Sequence, residues 1–256
     1  MLRQKLAAGV PVIGTWNTLA SPLVTEVIAR AGFDFQIVDL EHGPFVLDEI
    51  HLHVSACTVE TECAPLVRVP SNQPWMILQA LDQGARGVVV PHTSNSSTAD
   101  DLVKAIRYYP EGERGFTPFS KAGGFTNKDV AAHVQNSNEN IVGIAIVESV
   151  EGLTSAVDIA KIDGIDVVYF GAYDLSQDLG HPGEPKHPEV VEAIKEAVGK
   201  VRSVGCSAGG FVPQSADEIA WLLELDMNFV TYEVDSSILY RHANEICTWF
   251  SEEVEN

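Results

Sequence analysis

Short, strongly apolar runs alternate with amphipathic segments along the chain, and this alternation limits the possible folds more than any other feature. The runs recur at intervals of roughly 25 to 35 residues, and they occupy residues 11–16, 35–40, 64–69, 87–92, 141–148, 166–174, 207–212 and 228–235. The segments between them have helical periodicity, with Ser21-Pro22 and Ser215 at helix starts and Gly32 and Gly205 at helix ends. Near-continuous apolar strands that alternate with helices predict a parallel sheet buried on both faces.

Eight strand-helix units in 256 residues match the size of a (β/α)8 TIM barrel, which is the α/β fold that the sequence predicts. A doubly wound open sheet is the alternative, but no GxGxxG motif follows the first apolar run. With 45% hydrophobic residues, the chain can bury one large core. We therefore expect one barrel domain over residues 1–256.

The charge balance and the cysteines limit the partners and the location. The formal charge of −20 argues against nucleic acid or an anionic membrane as the main partner. No run reaches the length of a membrane span, and the N-terminal residues lack the apolar core of a signal peptide. The cysteines have no CxxC pairing, which indicates reduced thiols. A cytoplasmic protein is the expectation.

The residues that end the predicted strands are the candidates for function, because a TIM barrel carries its active site at the C-terminal ends of its strands. These positions contain carboxylates, two histidines and one arginine, in chain order Trp16, Asp39, Glu41, His42, Arg68, His92, Glu148, Asp174, Phe211, Glu233 and Asp235. We expect them to surround a single pocket.

No lysine falls at a predicted strand end, so a Schiff-base mechanism, which needs a lysine amine in the pocket, is not expected. Glu148 and Asp174 instead suit a hard divalent cation such as Mg²⁺ or Mn²⁺. Each residue also has a purely structural interpretation, because Asp174 can cap the helix that follows it and Arg68 can serve as an ion-pair residue. The convergence of several such residues on one rim favours the functional interpretation.

Five other histidines are interpreted as surface residues. His51 and His53 stand two apart, so they cannot share a helical face. His133, His181 and His187 fall in predicted loops, where we expect solvated side chains.

Several motifs together resemble one known family. The motifs "GFDFQIVDLEHGP", "PLVRVP", "ALDQGARGVVVP", "IVESVEGL" and "GAYDLSQDLGHPG" occur in order between about residue 10 and residue 240. They are similar to the metal-dependent class II pyruvate aldolases of the HpcH/HpaI family. The resemblance implies a (β/α)8 barrel, a homo-oligomer that is typically hexameric, and a C-terminal helix, here about residues 238–250, that packs on a neighbouring subunit.

The resemblance also implies roles for individual residues. His42 matches the catalytic base, Asp82 the aspartate that raises the basicity of that histidine, and Arg68 the arginine that stabilises the enolate. Glu148 and Asp174 match the ligands of a divalent cation (Mg²⁺, Mn²⁺ or Co²⁺). The substrate-binding positions are Trp16 in the pocket wall, the backbone N–H of Tyr173, and Asp174.

The implied reaction is cleavage of a 4-hydroxy-2-oxo acid to pyruvate and an aldehyde through an enolate. Five positions depart from the family pattern: Ile146 replaces a substrate-contacting glutamine, Tyr173 is bulky, Glu233 replaces a glycine, His92 is additional, and Lys121 lies near a missing arginine. These departures predict a different aldehyde acceptor. The alternatives are a non-catalytic barrel that binds a metal or a 2-oxo acid, and a lyase that acts on acyl-CoA hydroxy acids.

Overall fold

The computed structural model describes residues 1–255, which contain a closed barrel of eight parallel strands in sequential order. The predicted (β/α)8 fold is thus confirmed. The strands are β1 (Val12–Asn17), β2 (Phe35–Asp39), β3 (Ala64–Arg68), β4 (Gly87–Val90), β5 (Val142–Val147), β6 (Val167–Phe170), β7 (Ser207–Gly210) and β8 (Phe229–Val234).

Helices precede or follow every strand and cover the outside of the barrel. They are α1 (Leu2–Ala7), α2 (Pro22–Arg30), α3 (Ile50–Thr58), α4 (Pro74–Asp82), α5 (Ser96–Ile106), α6 (Val130–Asn140), α7 (Val150–Ala160), α8 (Ala172–Asp178), α9 (Pro188–Ser203), α10 (Ala216–Glu224) and α11 (Asp235–Glu255). Pro22, Pro74 and Pro188 begin α2, α4 and α9, where the missing N–H costs no hydrogen bond.

The apolar interior has two layers. One lies between strands and helices, and the other fills the barrel itself. Within the barrel, the rings of Phe35 and Phe229 stack with centroids 4.1 Å apart. A Cβ at Gly14 would lie 2.3 Å from the ring of Phe35, so this glycine gives the ring its space.

Helix α1 closes the N-terminal end of the barrel. Leu2 and Leu6 join the inner apolar layer. Arg3 Nε donates to Asp166 Oδ1 at 2.8 Å, and Asp166 directly precedes β6. Only the C-terminal ends of the strands are therefore left to form an open mouth.

The histidines differ in part from expectation. His51 is exposed, as predicted, but the prediction for His53 is wrong, since it is 1% exposed and its Nδ1 lies 2.8 Å from Thr25 Oγ1. His53 faces α2 and packs edge-on against Phe45. His133 is half-buried in α6 and not in a loop.

Helix α11 extends over the last described residues, and much of its apolar surface is exposed. The exposed apolar side chains include Leu239, Tyr240, Ile246, Trp249 and Phe250. None of the described helices is long and apolar enough to cross a bilayer.

Candidate active site

A cavity of about 420 Å³ lies at the C-terminal ends of the strands. Nine residues singled out from the sequence line it: Trp16, Asp39, His42, Arg68, Ile146, Glu148, Tyr173, Asp174 and Phe211. The expectation that all the strand-end residues surround this pocket is wrong in part, because the lining does not include Glu41, His92, Glu233 and Asp235. Parallel strands bring their C-terminal ends to one rim, which explains why residues so far apart in sequence meet here.

Arg68 is held in the mouth by two carboxylates. Its Nε donates to Asp39 Oδ1 at 2.7 Å, a second N–H donates to Asp39 Oδ2, and Nη1 lies 3.0 Å from Glu41 Oε2. The registers of β2 and β3 pair Asp39 directly with Arg68. Burial opposes the charge, but the hydrogen bonds and charge of Asp39 raise the pKa of the Arg68 guanidinium. Arg68 is thus a fixed cation in the cavity.

Trp16 forms the wall beside this cation. The Arg68 guanidinium carbon lies 4.6 Å from the centre of the Trp16 ring, a cation–π contact. Tyr169 meets Trp16 edge-on at 5.7 Å, and its hydroxyl is 2.7 Å from Thr231 Oγ1. These contacts leave Trp16 only 7% exposed and rigidly placed.

His42 lies on a tight turn directly after β2. Asp39 Oδ1 accepts the backbone N–H groups of Glu41 at 3.0 Å and His42 at 3.2 Å, so the carboxylate that holds Arg68 also shapes this turn. A Cβ at Gly43 would lie 2.4 Å from the Asp39 carbonyl oxygen, which makes glycine necessary there. His42 itself is exposed, and within residues 1–255 no hydrogen bond of its ring is found. Its ring is therefore open to contact with a ligand in the cavity.

Glu148 follows β5, and its carboxylate is only 7% exposed. The oxygen Oε1 lies 2.6 Å from both the backbone N and the Nδ1 of His92. Burial raises the pKa of Glu148, and the negative charges of Asp174 and Glu41 add to this effect, while His92 opposes it. A cation beside Glu148 would relieve the cost of burying this charge.

Tyr173 and Asp174 lie in the first turn of α8, which begins directly after β6. Both side chains are exposed, while Ala172 and Leu175 anchor the helix in the core. A Cβ at the preceding Gly171 would lie 2.9 Å from the Glu148 Cβ. The glycine therefore lets α8 approach Glu148.

The structure does not bring Asp82 and Lys121 to this cavity. Asp82 ends α4, which leads into the N-terminal end of β4, and its Oδ1 accepts from Arg114 Nη2 at 2.8 Å. Lys121 Nζ donates to His51 O at 2.9 Å and to Ser55 Oγ, against α3. Within one chain, both residues lie away from the mouth.

Two features of the site are not evident from the sequence. His92 adopts φ of 55°, a left-handed conformation that is uncommon for a residue other than glycine, and both its backbone and its ring face Glu148. The Pro-His pair after β4 marked the position, but nothing in the sequence indicated the contact. Likewise, the sequence did not show that Asp39, rather than Glu41, makes the bidentate pair with Arg68.

Comparisons with known proteins identify the family. A family model described as HpcH/HpaI aldolase/citrate lyase matches residues 12–241. A hydroxypyruvate/pyruvate aldolase from Roseovarius nubinhibens is 32% identical over 244 residues, which cover 95% of this chain and 93% of the relative. A 4-hydroxy-2-oxo-heptane-1,7-dioate aldolase from Klebsiella pneumoniae subsp. pneumoniae is 34% identical over 249 residues, with coverage of 97% and 93%.

The fold comparison leads to the same family. A solved HpcH/HpaI aldolase/citrate lyase family protein from Burkholderia cenocepacia has a TM-score of 0.92 and 28% identity, and the match covers 100% of this chain and 99% of the other. The family inferred from the quoted motifs is thus confirmed. This chain belongs to the HpcH/HpaI aldolase/citrate lyase family.

Proposed function

We propose that this protein is a divalent-metal-dependent aldolase that cleaves a 4-hydroxy-2-oxo acid to pyruvate and an aldehyde. The observation that carries the proposal is a single cavity in which Arg68, fixed by Asp39, faces the exposed imidazole of His42 and the carboxylates of Glu148 and Asp174. Relatives named as aldolases over nearly the whole chain support it.

The carboxylates fit a divalent cation. Glu148 and Asp174 supply the oxygen ligands that Mg²⁺ and Mn²⁺ prefer, and the raised pKa of Glu148 reflects a buried acid that lacks a full counter-charge. When bound, the cation would supply a Lewis acid for the 2-oxo group of the substrate. The choice among Mg²⁺, Mn²⁺ and Co²⁺ stays a prediction.

The other residues act on protons and on developing charge. His42 takes the proton of the substrate C4 hydroxyl, and the C3–C4 bond then breaks to release the aldehyde. Arg68 is permanently charged and stabilises the enolate oxygen that forms. Trp16 bounds the pyruvate subsite, and Tyr173 offers a backbone N–H in the first turn of α8, where no intrahelical acceptor exists.

The proposed role of Asp82 depends on oligomer formation. Asp82 lies toward the N-terminal end of β4 and His42 at the opposite end of the barrel, so an Asp82 carboxylate that supports His42 must come from another subunit. The exposed apolar side chains of α11 supply a surface for such an assembly. A hexamer with exchanged C-terminal helices and a cytoplasmic location both remain predictions.

Exchange of the pyruvate methyl protons in deuterated water is the direct test. Metal-loaded protein should catalyse the exchange, chelation should abolish it, and readded Mg²⁺, Mn²⁺ or Co²⁺ should restore it. A panel of aldehydes condensed with pyruvate then identifies the acceptor.

The competing candidate is a non-catalytic barrel, which the apolar Ile146 in the cavity lining favours. It predicts calorimetric binding of pyruvate or metal with no exchange, and the same result would refute the aldolase proposal.

A further inference from the structure

A second group of metal-binding side chains lies outside the cavity, around the segment between α8 and α9. His181 follows α8, His187 caps the N-terminus of α9, and Glu189 is in the first turn of α9. One potential ligand atom from each side chain lies within 4.8 Å of the other two. Among residues 1–255, His181, His187 and Glu189 are the group of three metal-binding side chains whose ligand atoms come this close together.

The three side chains of the cluster lie close enough together to share one ion. His181 Nε2 lies 2.6 Å from Glu189 Oε2, and the imidazole rings of His181 and His187 stack with centroids 3.5 Å apart at an angle of 15°. Ligand atoms around a tetrahedral Zn²⁺, with bonds of about 2.0–2.1 Å, are about 3.3 Å apart. The stacked rings direct their in-plane lone pairs along nearly parallel lines, so one imidazole must turn about its χ angles before both nitrogens and the carboxylate can bind the same ion.

The backbone holds the two histidines in this arrangement. His181 N–H donates to Ser176 O at 2.7 Å, Glu184 N–H donates to His181 O, and His187 N–H donates to Glu184 O. Pro182, Pro185 and Pro188 further restrict the segment. Little backbone conformational entropy is therefore left to lose when an ion binds.

Glu189 supplies the third ligand, and its exposed carboxylate can rotate about the side-chain bonds toward both imidazoles. Two purely structural roles are the alternative: His187 caps α9, and His181 pairs with Glu189. Each of these roles explains one contact, whereas a bound cation would use all three side chains at once. Two imidazoles and one carboxylate suit Zn²⁺, Co²⁺ or Ni²⁺, while Mg²⁺ prefers oxygen ligands.

We propose that His181, His187 and Glu189 form a second divalent-cation site that selects ions with affinity for nitrogen, Zn²⁺ above all. It is separate from the carboxylates Glu148 and Asp174. The same segment lines a cleft of about 510 Å³ together with Tyr173, which also borders the mouth. An ion bound by the cluster therefore pins residues 181–189 in place beside the active-site entrance.

The test is Zn²⁺ binding to tag-free protein near neutral pH, measured by equilibrium dialysis and by the Zn²⁺-dependent shift in Tm. Three variants are compared with wild type. H181Q/H187N removes both imidazoles, while the asparagine introduced in place of His187 is a residue suited to helix capping. E148Q/D174N removes the cavity carboxylates, and H242N is the matched control, because His242 Nδ1 is 3.2 Å from Glu245 Oε2 on α11 with no second histidine in contact.

H181Q/H187N should weaken this Zn²⁺ binding by at least about 100-fold and lose the associated rise in Tm, while its Tm without metal confirms folding. E148Q/D174N and H242N should retain the binding. Mg²⁺ should not compete for it. Unchanged Zn²⁺ stoichiometry in H181Q/H187N, or its loss in E148Q/D174N, would overturn the proposal. Because E148Q/D174N isolates the cluster, this outcome is independent of whether the protein is an aldolase.

Discussion

The Arg68 guanidinium is bonded side-on to the carboxylate of Asp39, with Nε donating to Oδ1 at 2.7 Å and a second N–H donating to Oδ2. The same Oδ1 accepts the N–H groups of Glu41 and His42. One carboxylate thereby sets the direction of the cation and the path of the turn that carries the proposed base.

The Asp39→Asn substitution separates these two tasks. The asparagine amide keeps an oxygen that can accept the turn N–H groups but loses the charge that orients Arg68. We expect the rate of pyruvate proton exchange to fall by about 100-fold, because a small misplacement of a charged group is costly to catalysis.

Arg68→Lys should lower the same exchange rate by about 10²- to 10³-fold, since lysine lacks the bidentate geometry. Wild-type rates in both variants would exclude Arg68 as the enolate-stabilising group.

His42→Asn should slow retro-aldol cleavage by about 10²- to 10⁴-fold, the usual contribution of a general base. The affinity for the divalent metal, measured by calorimetry, should stay unchanged because His42 is not among the proposed ligands. His51→Asn is the matched control, as this histidine is also exposed but lies on α3. Equal losses of rate in the two variants would argue against a specific role for His42.

The buried charge of Glu148 predicts a pH-dependent stability difference in metal-free protein. The pKa of Glu148 is higher in the folded protein than in the unfolded chain. The protonated acid therefore contributes to the free energy of unfolding below the ordinary glutamate pKa of about 4.3. This contribution is lost as the pH rises through the pKa that Glu148 has in the folded protein. Glu148→Gln mimics the protonated acid. We therefore expect the metal-free variant to have the higher Tm near neutral pH.

This advantage of Glu148→Gln should shrink in acid, and added Mg²⁺ should raise the Tm of wild type but not of the variant. Thermal unfolding over a pH series checks both expectations. A variant that is less stable than metal-free wild type at neutral pH would contradict the electrostatic argument.

Ile146→Gln tests the apolar wall of the cavity. Ile146 is 2% exposed and borders the cavity, so a glutamine there can donate a hydrogen bond to an oxo acid at some cost in stability. We expect a lower KM for pyruvate together with a lower Tm. An unchanged KM would mean that this side chain does not face the pyruvate subsite.

Helix α11 tests the oligomer. Wild type should elute in light-scattering chromatography at a multiple of the 27.7 kDa chain mass, and W249E/F250E should shift toward the single chain, because two exposed apolar side chains become charged. Lys200→Glu, on exposed α9 surface, is the control for added negative charge. If wild type is already monomeric, no other subunit can supply an Asp82 carboxylate to His42, and the proposed role of Asp82 is refuted.

Hydrophobic periodicity alone predicted the barrel, because strands buried on both faces leave an unbroken apolar pattern that few folds produce. It also located the mouth, since parallel strands must end on the same rim. Trp16, Arg68 and Glu148 were found in this way, and the absence of lysine from the rim is equally visible in the sequence. The roles proposed for these residues came from the quoted motifs.

Only the tertiary structure decided which of these groups touch. The register of β2 and β3 places Arg68 beside Asp39. The left-handed backbone conformation of His92 directs this residue toward Glu148. The packing of α3 on α2 buries His53 against Thr25. The stacking of His181 on His187 likewise depends on a turn held by backbone hydrogen bonds. Such contacts depend on register, backbone conformation and side-chain packing between distant segments, which local sequence patterns do not specify.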